Sequence, residues 1–350
     1  MESINNNRIL ITGIAGFIGF HVAKAFTDKY KCEKIVGIDS LNTYYDPTLK
    51  AARLKELGID IENLPSEITI RSCLNKQLFF KKMDLCDFEG LRALFKREKF
   101  DLVIHLAAQA GVRYSIINPQ AYVDSNVTGF LNILNCIREF PPKRFIYASS
   151  SSIYGLHENK PFSETDQTDN PVSIYASTKK MNEMMAKNYA QLYGITTTGL
   201  RFFTVYGEWG RPDMALFRFT EKILRGENIE LYNYGDSGRD FTYIGDVVRG
   251  IIELTLLIPN SNSLHEIYNI GRGMPVLLKD LIKELEKTLA MPAKIELLPL
   301  QPGDVPFTFA DVSKLYATTG FMPQTCITEG ISRFIKWYKL YYGETGSNYG

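Results

Sequence analysis

Two side chains four residues apart, Tyr175 and Lys179, have the chemistry to remove a proton from a substrate hydroxyl. Residues at this spacing share one face of a helix, so the phenol and the amine would lie side by side. A free tyrosine titrates near ~10, and a neighbouring ammonium stabilises its phenolate. The run Ser149–Ser152 adds hydroxyls that could relay the proton. The alternatives are a surface helix pair and a polar loop. The predicted catalytic residues are Tyr175, Lys179, Ser150, Ser151 and Ser152.

A second group of residues has the spacing of a dinucleotide-binding loop. Gly13, Gly16 and Gly19 lie between an apolar run and a helical one, where glycines allow a tight turn and close approach of a pyrophosphate. Asp39 ends the next apolar run, where a carboxylate binds ribose hydroxyls and repels a 2′-phosphate, which favours NAD over NADP. The alternative for Asp39 is a cap of the following turn. In this part of the chain the predicted cofactor residues are Gly13, Gly16, Phe17, Ile18, Gly19, Asp39, Asn42, Asp84 and Leu85.

These residues need a scaffold, and the hydrophobic pattern predicts one. Strand-like runs alternate with helical runs, which predicts βαβ units and an α/β fold, a Rossmann-type doubly wound parallel sheet. Ligands bind at the carboxyl ends of such strands. The predicted strands are Arg8–Thr12, Lys34–Ile38, Phe79–Met83, Leu102–His105, Arg144–Ala148 and Thr196–Leu200. The predicted helices are Gly16–Lys29, Phe88–Lys96, Pro119–Arg138 and Ile174–Leu192.

After about Val205 the alternation of strands and helices loosens. Short strands are predicted at Ile229–Tyr232, Ile267–Ile270 and Lys294–Leu297, among helices and turn-rich loops. We therefore expect residues 1–205 to form the NAD-binding domain, which also takes in part of 236–275. Residues 206–350 would form mainly a smaller C-terminal α/β substrate domain.

Composition excludes several classes of function. The 350 residues carry 40 Lys and Arg against 39 Asp and Glu, so no basic excess points to nucleic acid. The five cysteines are scattered and no pair of the four histidines has metal-ligand spacing, so neither disulfides nor a metal are predicted. No signal peptide and no run near the ~20 apolar residues of a membrane span is present. We expect a cytoplasmic protein without a membrane partner.

The motifs together resemble the extended short-chain dehydrogenase/reductase superfamily of nucleotide-sugar enzymes. The resemblance covers nearly the whole chain and rests on Thr12–Gly19, His105–Ala108, Asn126, Ser150, Tyr154–Gly155, Tyr175–Lys179, Arg239–Phe241 and Gly303–Pro306. It implies that Leu106, Ala107 and Ala108 line the cofactor, which Asn126, Tyr175 and Lys179 also contact. It also implies that Asn126 supports the catalytic loop, and that Arg239 and Asp304 hold the nucleotide's phosphate and ribose.

Within the superfamily the chain is most similar to UDP-glucuronate 4-epimerases, through Gly37–Asp46, Arg201–Met214 and Gln301–Pro306. Glu208 stands where that family usually has proline, and Ser40 where it has asparagine. The resemblance implies inversion at C4 through a 4-keto sugar, with NAD that is tightly bound and never released. Arg211 is the candidate for the sugar carboxylate, as a bidentate donor. The predicted substrate-binding residues are Thr204, Arg211, Tyr232, Arg239 and Asp304.

One difference from relatives narrows the chemistry. The 4,6-dehydratases carry Asp-Glu after this strand and the decarboxylating relatives keep an acid there, whereas this chain has Ser151 and Ser152. Three alternatives stay open: a 4-epimerase of a neutral or N-acetylated UDP-hexose, a UDP-glucuronate decarboxylase, and an inactive NAD-binding regulator. The apolar residues of Pro119–Arg138 and Ile174–Leu192 predict a homodimer through a four-helix contact.

Overall fold

The computed structural model describes residues 6–62, 68–157, 161–257, 263–300 and 305–343. Its strands, in chain order, are β1 (Arg8–Thr12), β2 (Lys34–Asp39), β3 (Thr69–Arg71), β4 (Leu78–Lys82), β5 (Leu102–His105), β6 (Arg144–Ser150), β7 (Thr197–Phe202), β8 (Thr204–Tyr206), β9 (Asn228–Leu231), β10 (Gly238–Tyr243), β11 (His265–Ile270), β12 (Pro275–Leu277) and β13 (Lys294–Leu297).

The α-helices connect these strands. They are α1 (Phe17–Lys29), α2 (Pro47–Glu56), α3 (Phe88–Glu98), α4 (Tyr114–Ile117), α5 (Pro119–Tyr122), α6 (Gly129–Glu139), α7 (Ile174–Tyr193), α8 (Ala215–Arg225), α9 (Ile244–Thr255), α10 (Leu278–Leu289), α11 (Ser313–Thr319) and α12 (Ile327–Tyr342). A π-helical turn, Val123–Thr128, joins α5 to α6, and a 3₁₀ turn, Ser151–Tyr154, follows β6.

The main sheet has the strand order β11-β7-β6-β5-β1-β2-β4-β3 within the described ranges. Its pairs β1–β2, β1–β5, β2–β4 and β5–β6 are parallel, and the outer β3 runs antiparallel to β4. Central strands of a parallel sheet are covered on both faces, which explains why Ile9, Leu10 and Ile11 are all fully buried. The predicted Rossmann-type α/β sheet is confirmed.

The chain forms two compact units, each assembled from several segments. The first contains Met1–Gly155, Gln167–Arg201 and Ile251–Tyr268, and the second contains Leu156–Asp166, Phe202–Gly250 and Asn269–Gly350. In the second unit β10 pairs with β8 in parallel and with β12 antiparallel, and β13 pairs with β9. The assignment of a cofactor domain and a substrate domain stays a prediction.

One local prediction needs correction, and several elements were not predicted. The single helix expected at Pro119–Arg138 is interrupted by the π-helical turn, which a 3.6-residue pattern cannot reveal because the same faces remain apolar. Helix α2 begins at Pro47, with Asp46 as its cap, and the sequence reading placed no helix there. Strand β8 and the helices after residue 205 were not located either. Within the described ranges, no helix has the length and apolar character needed to cross a bilayer.

Candidate active site

Helix α7 carries Tyr175 and Lys179, which are predicted to act together as the general base of the reaction. The Ser173 side chain caps the helix by accepting the Ala176 N–H at 3.1 Å, and Gly194 ends it in the left-handed region at φ 69°. Tyr175, in the first turn, is half-buried. Lys179 is only 2% exposed, and its Nζ donates to the carbonyl of Ala148 at 2.9 Å. Lys179 is therefore held against the end of β6.

Burial sets the electrostatics around Lys179. It lowers the pKa of Lys179 to about 7, because the ammonium loses its hydration. Burial, and then the charge of Lys179, lower the pKa of His105 to about 3, so this imidazole is neutral. His105 Nδ1 lies 2.9 Å from Oγ1 of Thr12 on the neighbouring strand. Lys179 is thus the titratable group of this cluster whose charge changes near neutral pH.

The four serines, two at the end of β6 and two in the 3₁₀ turn that follows, differ in where their side chains point. The Ser149 side chain points inward and donates to Glu183 Oε1 at 2.6 Å. The Ser150 hydroxyl donates to the Ser152 hydroxyl at 3.1 Å and accepts the Ser152 N–H at 3.2 Å. Ser151 and Ser152 open the 3₁₀ turn and are half-buried. The geometry removes Ser149 from the candidates for the proton relay and keeps the three predicted ones.

The glycine loop has the close packing that a dinucleotide site needs. A Cβ on Gly13, at φ 72°, would lie 2.8 Å from the backbone nitrogen of Ala107. A Cβ on Gly19 would lie 2.1 Å from the carbonyl oxygen of Gly13. Gly16 is the N-cap of α1, and having no side chain it leaves the N–H groups of the first turn to a phosphate. Phe17 is buried and Ile18 half-buried in that turn. The loop fits the pyrophosphate of NAD.

Asp39 ends β2 beside this loop. Its Oδ2 accepts the Ala15 N–H at 3.1 Å, and its Oδ1 accepts the Leu41 N–H at 2.9 Å. The carboxylate therefore orders the turn after β2, as the alternative interpretation expected, and it also fixes the glycine loop. Its contact with a ribose stays a prediction. It is 8% exposed, at the place where a ribose would bind.

Sequence reasoning missed two cations on α2 that lie next to this turn. The buried Lys50 donates to the side-chain oxygen of Asn42 at 2.7 Å and to its carbonyl at 2.8 Å. Burial lowers the pKa of Lys50 against the opposing charge of Asp39. Arg53 is fully buried and donates to the carbonyl of Ala15 at 2.9 Å. The spacing of these cations on an amphipathic helix was the available signal.

The remaining predicted cofactor residues lie at the carboxyl ends of β4 and β5. Asp84 is exposed, and its Oδ1 accepts the Cys86 N–H at 2.8 Å. Leu85 is instead part of the hydrophobic core, which points to packing rather than to a ligand. Leu106, Ala107 and Ala108 are half-buried after β5, beside the glycine loop.

Asn126 lies in the π-helical turn and is almost fully buried. Its side chain accepts the Gln109 N–H at 2.8 Å and donates to the Gln109 carbonyl at 2.9 Å. It also donates to the Thr178 hydroxyl at 3.1 Å, one residue before Lys179. Asn126 therefore links the loop after β5 to helix α7. Its contact with NAD stays a prediction.

In the second unit, Thr204 and Arg239 lie on the paired strands β8 and β10, where Thr204 is opposite Phe241. Arg239 Nη1 donates to the carbonyls of Gly238 and Pro306, both at 3.0 Å. Tyr232 follows β9, and its hydroxyl donates to Glu230 at 3.1 Å. The structure thus brings Thr204 and Arg239 together on adjacent strands. Asp304 lies outside the described residues.

The loop that carries Arg211 already contains an acid for it. Arg211 Nε donates to Asp213 Oδ1 at 2.9 Å, and Nη2 donates to Oδ2 at 2.5 Å. Sequence analysis assigned this guanidinium to a substrate carboxylate and did not consider Asp213. Glu208, which stands where the family usually has proline, accepts the Tyr243 hydroxyl at 2.9 and 3.0 Å. Asp213 and Glu208 therefore hold this loop through hydrogen bonds to Arg211 and Tyr243.

Comparison with known proteins decides the family. Residues 9–271 match the NAD dependent epimerase/dehydratase family. The chain belongs to this family. Membership confirms NAD as the cofactor and an enzyme of the NAD-dependent epimerase type, as the glycine loop and the Tyr175–Lys179 pair predict.

Three relatives illustrate the similarity. A probable UDP-glucuronate 4-epimerase of Rhizobium meliloti (strain 1021) is 43% identical over 352 residues, which span 96% of this chain and 98% of that protein. The crystal structure of UDP-glucuronic acid 4-epimerase from Bacillus cereus, in complex with UDP-glucuronic acid and NAD, is 31% identical with a TM-score of 0.85 and covers 96% of this chain and 100% of that one. UDP-glucose 4-epimerase from Thermotoga maritima, with UDP-glucose, is 28% identical with a TM-score of 0.79 over 95% of this chain and 99% of that one.

Proposed function

We propose that this protein interconverts UDP-glucuronate and UDP-galacturonate by inverting C4 of the sugar. The observation that carries the reaction type is the arrangement on α7, where Lys179 is buried against the Ala148 carbonyl one turn after Tyr175. The substrate is supported by the Rhizobium meliloti and Bacillus cereus relatives, whose names specify UDP-glucuronate.

In the proposed reaction Tyr175, held as a phenolate by the Lys179 ammonium, takes the proton of the 4-hydroxyl and becomes a neutral phenol. NAD, which the glycine loop and Asp39 would hold, would supply a reversible hydride acceptor for C4. The Ser150 hydroxyl hydrogen-bonds the C4 oxygen and passes the proton to Tyr175. The 4-keto sugar turns over between the two transfers, so that hydride returns to its other face. Sugar and cofactor both end in their starting oxidation state.

The serine segment supports simple epimerisation rather than elimination. Loss of water from the sugar needs an acid and a base beside C5 and C6, and the positions after β6 carry the hydroxyls of Ser151 and Ser152 instead. A hydroxyl cannot release a proton at neutral pH as a carboxylic acid does. A UDP-hexose, which carries a 6-hydroxyl, should therefore not be dehydrated by this protein.

Arg211 is the proposed holder of the sugar carboxylate, which must not be lost as CO₂ while C4 is a ketone. Its ion pair with Asp213 implies competition, because one guanidinium fork serves one carboxylate at a time. We expect the substrate carboxylate to displace or share Asp213. A neutral UDP-hexose has no group that can do this.

The deciding experiment is incubation of purified protein with UDP-glucuronate, UDP-glucose and UDP-N-acetylglucosamine, followed by chromatographic separation of the products. We expect UDP-galacturonate from the first, no requirement for added NAD and no accumulation of NADH. Efficient conversion of only the neutral sugars would favour the neutral-hexose epimerase, and a UDP-pentose as main product would favour the decarboxylase. Bound NAD without turnover of any sugar would favour the regulator.

Two variants of Arg211 and one control variant of Asp213 test the carboxylate site. Arg211→Ala should weaken UDP-glucuronate by one to two orders of magnitude and UDP-glucose by much less, measured as KM, and Arg211→Lys should restore only part of the loss because an ammonium lacks the fork. Asp213→Asn is the matched control, since it removes the competing charge and leaves Arg211. We expect it to lower KM for UDP-glucuronate. Unchanged kinetics in Arg211→Ala would remove this residue from the substrate site.

We also propose a homodimer through the helical faces of α6 and α7. Met181 and Met184 on α7 are 43% and 57% exposed, and Leu131 on α6 is 37% exposed, more than core packing alone requires. Met184→Lys should therefore shift the protein toward monomer in light scattering at micromolar concentration. Leu340→Lys on α12, another exposed apolar position, is the control and should leave the mass unchanged. A monomeric wild type would contradict the proposal.

A further inference from the structure

A buried ion pair, Glu183–Arg201, lies in the first unit below the candidate catalytic residues. Glu183 is 6% exposed and Arg201 is 4% exposed. Arg201 Nε donates to Glu183 Oε1 at 3.0 Å, and its Nη2 donates to Oε2 at 2.9 Å, so the contact is bidentate. Glu183 is on α7 and Arg201 on β7, which means that the pair ties the catalytic helix to the sheet.

The same carboxylate holds the strand that leads to the catalytic serines. Ser149, 2% exposed, donates its hydroxyl to Glu183 Oε1 at 2.6 Å. Its neighbour Ala148 accepts the ammonium of Lys179 at 2.9 Å. Two consecutive residues of β6 thus contact two side chains that are one turn apart on α7. These contacts fix the register between the strand that ends at Ser150 and the helix that carries Tyr175.

The far end of the serine segment is tied to the same pair. Arg201 Nη1 donates to the hydroxyl of Tyr154 at 2.9 Å, and its guanidinium carbon lies 4.9 Å from the centre of that ring. Tyr154 ends the 3₁₀ turn that contains Ser151 and Ser152. The segment is therefore fastened before Ser150, through Ser149, and after Ser152, through Tyr154.

A buried ion pair is weak evidence for stability, because desolvation offsets much of its Coulomb attraction and apolar replacements are often neutral. Its directional hydrogen bonds, by contrast, specify one geometry. We propose that Glu183 and Arg201 are positioning residues for the epimerase reaction, which hold Ser150–Ser152 at a fixed place relative to Tyr175 and Lys179. Ser149 connects them to the strand. This inference rests on the proposed function, since it concerns the same site.

Glu183→Gln tests the charge with little change of volume. Displacements near 1 Å at a reacting centre cost on the order of 10²-fold in rate, so kcat should fall by ~10–100-fold. The KM for the UDP-sugar and the NAD content after purification should stay within about twofold, because the groups that bind them are retained. The pH limbs of kcat should not move, since Glu183 exchanges no proton with the substrate.

Ser149→Ala tests the connection without removing the ion pair, and it decides the question if Glu183→Gln fails to fold. It should lower kcat by ~10-fold or more, and the double variant should be no slower than the slower single variant, because both changes break one pathway. A double variant whose effects multiply would show that Ser149 acts independently of Glu183 and would overturn the proposal.

Glu98→Gln is the matched control. Glu98 is an equally buried, cation-paired carboxylate in the same unit, at the amino ends of β1 and β2. It should lower thermal stability and leave kcat at the wild-type value. A fall in kcat equal to that of Glu183→Gln would mean that general loosening, not positioning, explains both results.

Hydrogen exchange of the purified, NAD-containing proteins gives a readout that does not depend on turnover. In Ser149→Ala, the amides of residues 150–155 should exchange at least several-fold faster than in wild type, while those of β1 and α1 stay unchanged. Unchanged exchange in this segment together with wild-type kcat would overturn the inference. If wild type turns over no UDP-sugar, the proposed function fails, and the exchange measurement still tests the positioning.

Discussion

Two buried carboxylates of the first unit, Glu98 and Glu183, lie at opposite ends of the parallel strands of one sheet. Glu98 ends α3 and is paired with Arg8 and Lys34, the first residues of β1 and β2. Glu183 is paired with Arg201 and with the hydroxyl of Ser149, at the carboxyl ends of the strands. The two acids resemble each other in burial and charge, but their surroundings differ.

The difference lies in the partners. The side chains of the cations around Glu98 are between 23% and 58% exposed, so this cluster at the amino ends of the strands reaches water and can rearrange. The partners of Glu183 are themselves buried and end in the segment that contains Ser150. Because ligands bind at the carboxyl ends of parallel strands, a rigid arrangement of side chains can serve catalysis only at those ends. We infer that one carboxylate serves the fold and the other serves the site.

The largest effect is expected at the carboxyl ends of the strands, where Tyr175→Phe should lower turnover. The change removes the phenolic oxygen and keeps the ring, so folding and NAD content should be retained. Turnover of the UDP-sugar should fall by ~10²–10⁴-fold, the usual contribution of a general base. Product formation with time, normalised to bound NAD, measures it. Activity within tenfold of wild type would remove Tyr175 from the mechanism. It would also contradict the placement of catalysis at the carboxyl ends of the strands.

A change at the amino ends of the strands should alter the free energy of unfolding and its dependence on pH. Burial opposes ionisation of Glu98, but hydrogen bonds and charges from Lys34 and Arg97 outweigh it and lower its pKa. A lowered folded-state pKa adds stability above the unfolded value near ~4.3, and this is lost as pH falls through the folded value. Glu98→Gln should cost about 2 kcal/mol at pH 7, below the ~3–5 kcal/mol of an enclosed pair because the cations reach water.

Urea unfolding of wild type and Glu98→Gln between pH 7 and pH 3 provides the measurement. The two free energies of unfolding should converge as the pH falls, since the wild-type carboxylate becomes protonated. A constant difference over this range would show that volume or packing, and not the charge, accounts for the cost.

The smallest effect is expected in the middle of the sheet, between the amino and the carboxyl ends of the strands. Tyr147 on β6 is fully buried, and its hydroxyl has no hydrogen-bond partner among the described residues. Burial raises the pKa of Tyr147 well above its ordinary value, so the hydroxyl is neutral. Tyr147→Phe removes an unsatisfied polar group and should raise stability by up to ~1 kcal/mol. Calorimetry should show a rise in Tm with kcat unchanged, whereas a lower Tm would indicate a bound water or another hidden partner.

The local parts of the site could be predicted from sequence because their chemistry is encoded by spacing. Gly13, Gly16 and Gly19 need only their positions between a strand and a helix, and Tyr175 and Lys179 need only a helix. Glu183 follows Lys179 by four residues, so the same argument could have placed it on the catalytic face.

What could not be predicted depends on contacts between distant segments. Arg201 was read as part of a family motif, and its partner Glu183 is known only once α7 packs on β7. Asp213 neutralises Arg211 through a turn whose geometry no periodicity encodes. The π-helical turn that aims Asn126 at Gln109 leaves no mark in the hydrophobic pattern for the same reason.

The discontinuous first unit has a consequence for synthesis on the ribosome. Its edge strand β11 pairs beside β7, yet 62 residues, from Phe203 to Leu264, are translated between these two strands. At roughly 5–20 residues per second, the edge of β7 waits several seconds for its neighbour. During this interval the nascent chain exposes an unpaired strand in its growing sheet, which is a typical target for chaperones and for wrong pairing. A circular permutant that begins just before His265, so that β11 is made before β7, should therefore raise the yield of folded protein in cells.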